Sequence, residues 1–256
     1  MSAVLIARRG AVQWITLNRP QQRNAIDGEV ITGIAEGFRR AQEDRDVRAI
    51  VLTAEGDKAF CAGGDLKAGR AFTFDVAEPT APYANLLRLA HNCPVPSIAR
   101  INGACMAGGM GLLCMTDLAI AAEHATFGLP EAKLGLFPFQ VLSLLKDQIA
   151  PRVLREIVLT GRMFTAEEAK AMGLVNHVVP AANLDNRLAE LLDGLVANSP
   201  TALRRGKYAL RAVESMSFEQ AIAFTESQLT LLAQCEDARE GMAAFNEKRK
   251  PTWTGK

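Results

Sequence analysis

The sequence predicts an α/β fold, and three observations predict it. Short β-rich runs alternate with amphipathic helical ones through the first half of the chain. One run, AIVLT at 49–53, is apolar without interruption, as in strands covered on both faces of a sheet. From Gln140 onward the pattern turns helical.

In order, residues 4–8 and 12–17 read as two strands, joined by Arg9-Gly10-Ala11 as a hairpin turn. Within the second run, Val12, Trp14 and Thr16 fall on one face, and Gln13, Ile15 and Leu17 on the other. Asn18-Arg19-Pro20 stops it. Asp27 is placed to cap a helix in which Val30, Ile31, Ile34 and Phe38 recur at helical spacing. The 49–53 strand and a short turn lead into AFCAGGDL at 59–66. Residues 73–82 hold two prolines and no period, so they predict a mobile loop that lies over a site. A helix over 83–92, a strand over 96–101 and short strands over 118–121 and 125–128 follow. Helices are then expected over 141–150, 151–160, 166–172, 183–197, 200–216, 218–234 and 237–248. The sequence divides into a core over 1–197 and a C-terminal helical region over 198–256, an end domain or an oligomer interface.

The chain has 256 residues, 49% of them apolar, enough for a sizeable core without metals or disulfides. Lysine and arginine number 29 against 28 acidic residues, a net charge of +1, which argues against a broad nucleic-acid footprint. The five cysteines have no C-x-x-C spacing and the three histidines are far apart, so no metal site is expected. Reduced thiols in a cytoplasmic protein are the simplest reading. The first 17 residues carry no basic residue ahead of their apolar ones, which does not fit a signal peptide. The apolar window at 103–122 is broken by Asp117 and rich in glycine, so it reads as buried core rather than a membrane span. No P-loop, dinucleotide fingerprint or G-x-S-x-G supports nucleotide or serine-esterase chemistry.

The most informative stretch runs from Asn102 to Glu131. Its glycines allow backbone N–H groups to approach a ligand closely, because no Cβ intervenes. A short apolar helix follows, and then a carboxylate among apolar residues. This reads equally as an oxyanion site followed by an acid/base group, or as a tightly packed core helix whose glycines let elements approach.

AFCAGGDL (59–66), INGACMAGG (101–109) and FGLPEAKLGL (127–136) together resemble the crotonase, or enoyl-CoA hydratase/isomerase, superfamily. LNRPQQRNAID (17–27), LTGRMFTAEEAKAMGLVNHVV (159–179) and EDAREGMAAFNEKRKPTW (236–253) add matches in the family's order over nearly the whole chain. The resemblance implies a ββα spiral core with a C-terminal helical oligomerisation region, and trimers often paired into hexamers. It implies acyl-CoA substrates, with coenzyme A as part of the substrate and no separate cofactor. By position, the N–H groups of Gly64 and Gly108 would polarise the thioester carbonyl. Such a donor typically contributes ~2.7–4 kcal/mol to the transition state. Glu131 falls on the family's acid/base glutamate, and Leu129, Pro130 and Leu134 around it imply partial desolvation, which raises a carboxyl pKa. Pro130 is placed with the substrate-binding residues. Arg23, Asn24 and Ala25 match the segment along pantetheine and phosphates, and Ala62, Asp65 and Leu66 the adenine-side loop. Phe245 and Lys248 match residues that reach coenzyme A from a neighbouring subunit; the Lys248-Arg249-Lys250 run also reads as a solvated charged face.

The departures are as informative as the matches. Familiar hydratases carry a second glutamate where this chain has Gly111, so the two-glutamate mechanism is set aside, while hydration and a double-bond shift both stay open. Leu136-Phe137-Pro138-Phe139-Gln140 lacks the nucleophilic aspartate of dehalogenase-like members. Its two phenylalanines fit an acyl pocket or ordinary core packing equally well. The expected activity is double-bond chemistry on an enoyl-CoA, with Glu131 as the one carboxylate. The competing expectation, kept alive by Gly111, is a CoA-ligand-binding or RNA-binding relative without catalysis.

Overall fold

The computed structural model describes residues 2–66 and 77–256. Strands β1 (Val4–Arg9) and β2 (Val12–Leu17) form the expected antiparallel hairpin, and Gly10 at φ +58° supplies its left-handed turn. Helix α1 (Gly28–Glu43) starts where Asp27 accepts a 2.9 Å hydrogen bond from the Val30 N–H. Strand β3 (Ala49–Ala54) is buried at every residue and pairs in parallel with β2 on one side and β5 (Ser97–Ile101) on the other. Its uninterrupted apolar run has a direct cause. Ile50 and Leu52 enter the core that includes Val30, Ile34 and Phe38 of α1, while Ala49 and Val51 enter a second core under α7 (Leu184–Val196).

After β3, strand pairs build a spiral. β4 (Ala59–Cys61) follows β3, β6 (Ala104–Met106) follows β5, and β8 (Thr126–Gly128) follows β7 (Leu118–Ala122). The first strand of each pair joins a six-stranded sheet of order β1-β2-β3-β5-β7-β10, and the second joins a four-stranded sheet of order β4-β6-β8-β9. Helices α2 (Pro82–His91) and α3 (Gly108–Cys114) follow the first two pairs. The loop expected over 73–82 falls partly outside the described residues, and Pro82 at its end opens α2.

Two expectations for the second half are corrected. Helices α4 (Phe139–Leu145), α5 (Pro151–Thr160) and α6 (Ala166–Ala171) are present, but the region is not helical throughout. Strand β9 (Met163–Thr165) pairs antiparallel with β8, and β10 (His177–Val179) pairs in parallel with β7. Each strand is three residues long, too short for a period of two to stand out from its helical surroundings. Helix α4 ends at Leu145 rather than near 150, because residues 146–149 turn back and Gln148 donates to the Cys114 carbonyl at 2.8 Å. Strand β6 interrupts the glycine-rich stretch and was not expected either.

The chain ends in α8 (Pro200–Val213), α9 (Phe218–Leu232) and α10 (Glu236–Asn246). Among the described residues no helix is long and apolar enough to cross a membrane, and no group of histidine, cysteine, aspartate or glutamate could hold a metal ion. Helix α8 is tied to the core by a charge. Lys207 Nζ, nearly buried, donates to Asp117 Oδ2 at 2.6 Å and to the Val95 carbonyl at 3.0 Å, while Ser97 donates to the same carboxylate oxygen. A truncated lysine would leave those acceptors without their cation. Lys207→Ala is therefore expected to lower the unfolding free energy by about 2 kcal/mol, seen as a lower urea midpoint at unchanged slope; an unchanged midpoint would show that the ion pair adds nothing.

Candidate active site

Three neighbouring parallel strands of the small sheet deliver the site. β6 lies between β4 and β8, so all three run in the same direction and their C-terminal ends emerge side by side. Adjacent strands lie about 4.8 Å apart. Cys61 of β4 faces Cys105 of β6, and three residues beyond that pair stand Gly64 and Gly108. Met106 faces Gly128 of β8, and three residues beyond Gly128 stands Glu131. The sheet's register thus brings together residues far apart in sequence.

Glycine makes the approach possible. A Cβ at Gly109 would lie 2.6 Å from the Cys61 carbonyl oxygen, and one at Gly63 would lie 2.7 Å from the Ala107 Cβ. The Gly64 nitrogen is 3.8 Å from where a Gly108 Cβ would be, and the Gly108 nitrogen 3.5 Å from where a Gly63 Cβ would be. The two N–H groups also remain unused. Ile26 donates to the Gly63 carbonyl and accepts from the Asp65 N–H, both at 2.8 Å, which turns the Gly64 N–H away from that bridge. Gly108 is the first residue of α3, where an N–H has no partner within the helix. Among the described residues neither N–H donates to another group.

Glu131 lies in a 3₁₀ turn, Pro130–Leu134, whose proline is set for the first helical position. Its side chain is partly buried, and Oε2 is shielded from solvent with no hydrogen-bond partner among the described residues. Burial pushes its pKa above the ordinary glutamate value. Such a carboxyl can both take up and release a proton.

Tyr83, which sequence reasoning left as a plain helix residue, belongs to the site. Its hydroxyl donates to the Gly108 carbonyl at 2.5 Å, and a Cβ at Gly111 would overlap that hydroxyl. Burial, neighbouring thiols and Glu131 all push its pKa well above the usual tyrosine value, so it stays a neutral phenol. The only sequence signal is its position at the start of a helix, 25 residues before Gly108. Burial also pushes the Cys61 and Cys114 thiols up to about 12, so neither supplies a thiolate.

The segment expected to bind coenzyme A runs beside the AFCAGGDL loop. The Ala62 N–H donates to the Arg23 carbonyl at 3.0 Å, and Arg19 donates to the Ala25 carbonyl at 2.8 Å. Two side chains of these segments are engaged within the protein. Asn24 is 1% exposed, and its side chain is consumed in accepting from the Arg19 N–H and donating to the Glu55 and Ala59 carbonyls. Asp65 pairs with Arg19, which also reaches Asp27, each at 2.9 Å. Both side chains therefore brace the loop. Arg23 and Leu66 are exposed beside it. Phe245 and Lys248 stand apart, on α10 and the turn after it; α10 packs against α8 and Phe245 is 84% exposed. Of the two phenylalanines near residue 138, Phe137 lies against the core and Phe139 is 75% exposed, so core packing does not account for Phe139.

All four non-glycine residues with positive φ among those described (Arg23, Asn24, Ala107 and Lys248) lie in or next to residues singled out for binding. Ala107, at φ +50° and ψ −120°, carries no glycine's freedom, and its conformation sets the direction of the Gly108 N–H.

The fold is that of a CoA-thioester enzyme family, as comparison with known proteins shows. Residues 7–256 match the family model described as enoyl-CoA hydratase/isomerase. A carnitinyl-CoA dehydratase from Salmonella paratyphi A is 37% identical, with 98% of each chain covered. The crystal structure of an enoyl-CoA hydratase from Bacillus anthracis superposes with a TM-score of 0.92 at 30% identity, covering 99% of this chain and 100% of that one. That of an enoyl-CoA hydratase from Mycobacterium smegmatis gives 0.90 at 33%, covering 98% of each. The chain belongs to the enoyl-CoA hydratase/isomerase family.

Gly63→Ala places a Cβ at φ +95° against Ala107 and is expected to destabilise the fold by about 1–3 kcal/mol; a denaturation midpoint equal to wild type would contradict the close approach. For Glu131 the sign is set by its raised pKa. Above the unfolded value of ~4.3 the native state holds the proton more tightly, so wild-type stability falls as pH rises through the raised native pKa. Glu131→Gln lacks that cost and should be the more stable protein at pH 7, with the gap closing below about pH 4.

Proposed function

We propose that the protein carries out double-bond chemistry, hydration or a double-bond shift, on an enoyl-CoA thioester. The Gly64 and Gly108 N–H groups hold the thioester oxygen as it gains negative charge, and Glu131 moves the proton. The observation that carries this reading is the meeting, at three adjacent strand ends, of two N–H groups unused among the described residues and one desolvated carboxyl whose Oε2 has no partner among them. Donors fixed in advance stabilise an enolate oxygen without reorganising. A carboxyl with a raised pKa can remove a proton at one carbon and return it at another.

Coenzyme A enters as part of the substrate, and no separate cofactor is needed. Arg23, Ala25, Ala62, Leu66 and Pro130 line its path, with Asn24 and Asp65 bracing from behind. Relatives named as hydratases and a dehydratase support chemistry at a carbon–carbon double bond. Assembly into trimers or hexamers, with Phe245 and Lys248 reaching a neighbour's coenzyme A, accords with the exposure of Phe245. The reading without catalysis, as a CoA-ligand or RNA binder, draws only on Gly111 and leaves the buried Glu131 oxygen unexplained.

Turnover of 2-enoyl-CoA and 3-enoyl-CoA by wild type and Glu131→Gln tests the proposal. The variant should lose about 10²–10⁴-fold in kcat with KM little changed. The acid limb of wild-type kcat/KM should lie above ~4.3, because Glu131 must be ionised to take a proton. An intact rate in the variant, or coenzyme A binding with no turnover of either substrate by the wild type, would refute it.

A further inference from the structure

Position 111 is where the site differs from a two-carboxylate arrangement, and the space there is filled. A Cβ at Gly111 would overlap the Tyr83 hydroxyl and press on Tyr83 Cζ and Val141 Cγ2, each 3.3 Å away. The glycine thus makes room for a phenol from α2. The direction of the phenol's proton is fixed. Its oxygen lies 2.5 Å from the Gly108 carbonyl oxygen, and only one of the two atoms carries a hydrogen, so Tyr83 donates and the carbonyl accepts. What Tyr83 then offers the site is acceptor capacity on its own oxygen. Glu131 Oε2, shielded and without a partner among the described residues, is an acceptor as well. A water molecule has two protons to give.

We propose that Tyr83 is a catalytic residue of a hydration reaction, holding the attacking water together with Glu131 in place of a second carboxylate. This rests on the enoyl-CoA reading above and chooses hydration within it. Water gives one hydrogen bond to the Tyr83 oxygen and the other to Glu131. Its oxygen bonds to C3 of the 2-enoyl thioester as Glu131 takes the proton, and the C2–C3 π electrons move toward the thioester oxygen held by Gly64 and Gly108. Glu131 then returns the proton to C2, which completes the addition of one water. Tyr83 keeps its proton throughout, on the Gly108 carbonyl.

The phenol also braces the turn that presents Gly108, and a bracing role would affect every reaction that passes through the enolate. Two assays separate the roles. Hydration of 2-butenoyl-CoA needs the water; exchange of the C2 proton of butanoyl-CoA in D2O needs only the oxyanion donors and Glu131. Tyr83→Phe keeps the ring and removes the acceptor. It should lower hydration by roughly 10²-fold more than it lowers exchange. Gly111→Ala, which pushes the hydroxyl out of place, should show the same selective loss. If hydration and exchange fall in step, Tyr83 only braces Gly108; if neither changes, it does nothing in catalysis. Either result overturns the proposal. A wild type that exchanges but does not hydrate overturns it too and leaves the enolate site standing. A wild type that does neither removes the enoyl-CoA reading itself.

Discussion

The site depends on one close contact, between the backbone leaving β4 and the backbone entering α3. Gly109 rests on the Cys61 carbonyl and Gly63 on the Ala107 Cβ, at separations that leave no room for a side chain. Parallel pairing of β4, β6 and β8 brings the strand ends into line, but pairing alone leaves the chains after them free to diverge. The glycine contacts hold the Gly64 and Gly108 N–H groups together. Ile26, bonded on both sides of Gly64, fixes which way that residue turns.

Around this contact the structure accepts local cost and offsets it close by. Ala107, Arg23 and Asn24 hold positive φ, and Glu131 keeps a carboxylate oxygen out of water with no hydrogen-bond partner among the described residues. Such features are unfavourable on their own and persist where neighbours over-determine them. Here the neighbours are identifiable. Asn24 uses its side chain on three backbone groups, and Arg19 links Asp27, Asp65 and the Ala25 carbonyl. The polar residues beside the site hold its backbone in place.

This explains what could be read from the sequence. The hairpin, α1 with its Asp27 cap, the buried β3 run and the helices at the C-terminal end announce themselves through period, caps and apolar continuity, which are local. The glycine motifs and Glu131 were visible as a pattern, and the family match follows from that pattern over almost the full chain. Three-residue strands such as β6, β9 and β10 carry too little period to be seen and exist because a neighbouring strand offers partners. Asn24 and Asp65 are expected beside coenzyme A from their match to the family's segments, and what their side chains hold in the fold lies too far along the chain to be read locally, up to 46 residues away for Asp65 and 35 for Asn24. Tyr83 was hidden for the same reason. Its meaning lies in the space above Gly111, and a glycine in sequence says that a side chain is missing without saying what fills the gap.

In the proposed reaction the Gly64 and Gly108 N–H groups converge on one oxygen beside Glu131. A crystal structure with butanoyl-CoA bound tests it most directly. The thioester oxygen should lie about 2.7–3.1 Å from both nitrogens, with C2 facing the Glu131 carboxyl. A thioester oxygen bound by neither nitrogen, or C2 turned away from Glu131, would contradict it.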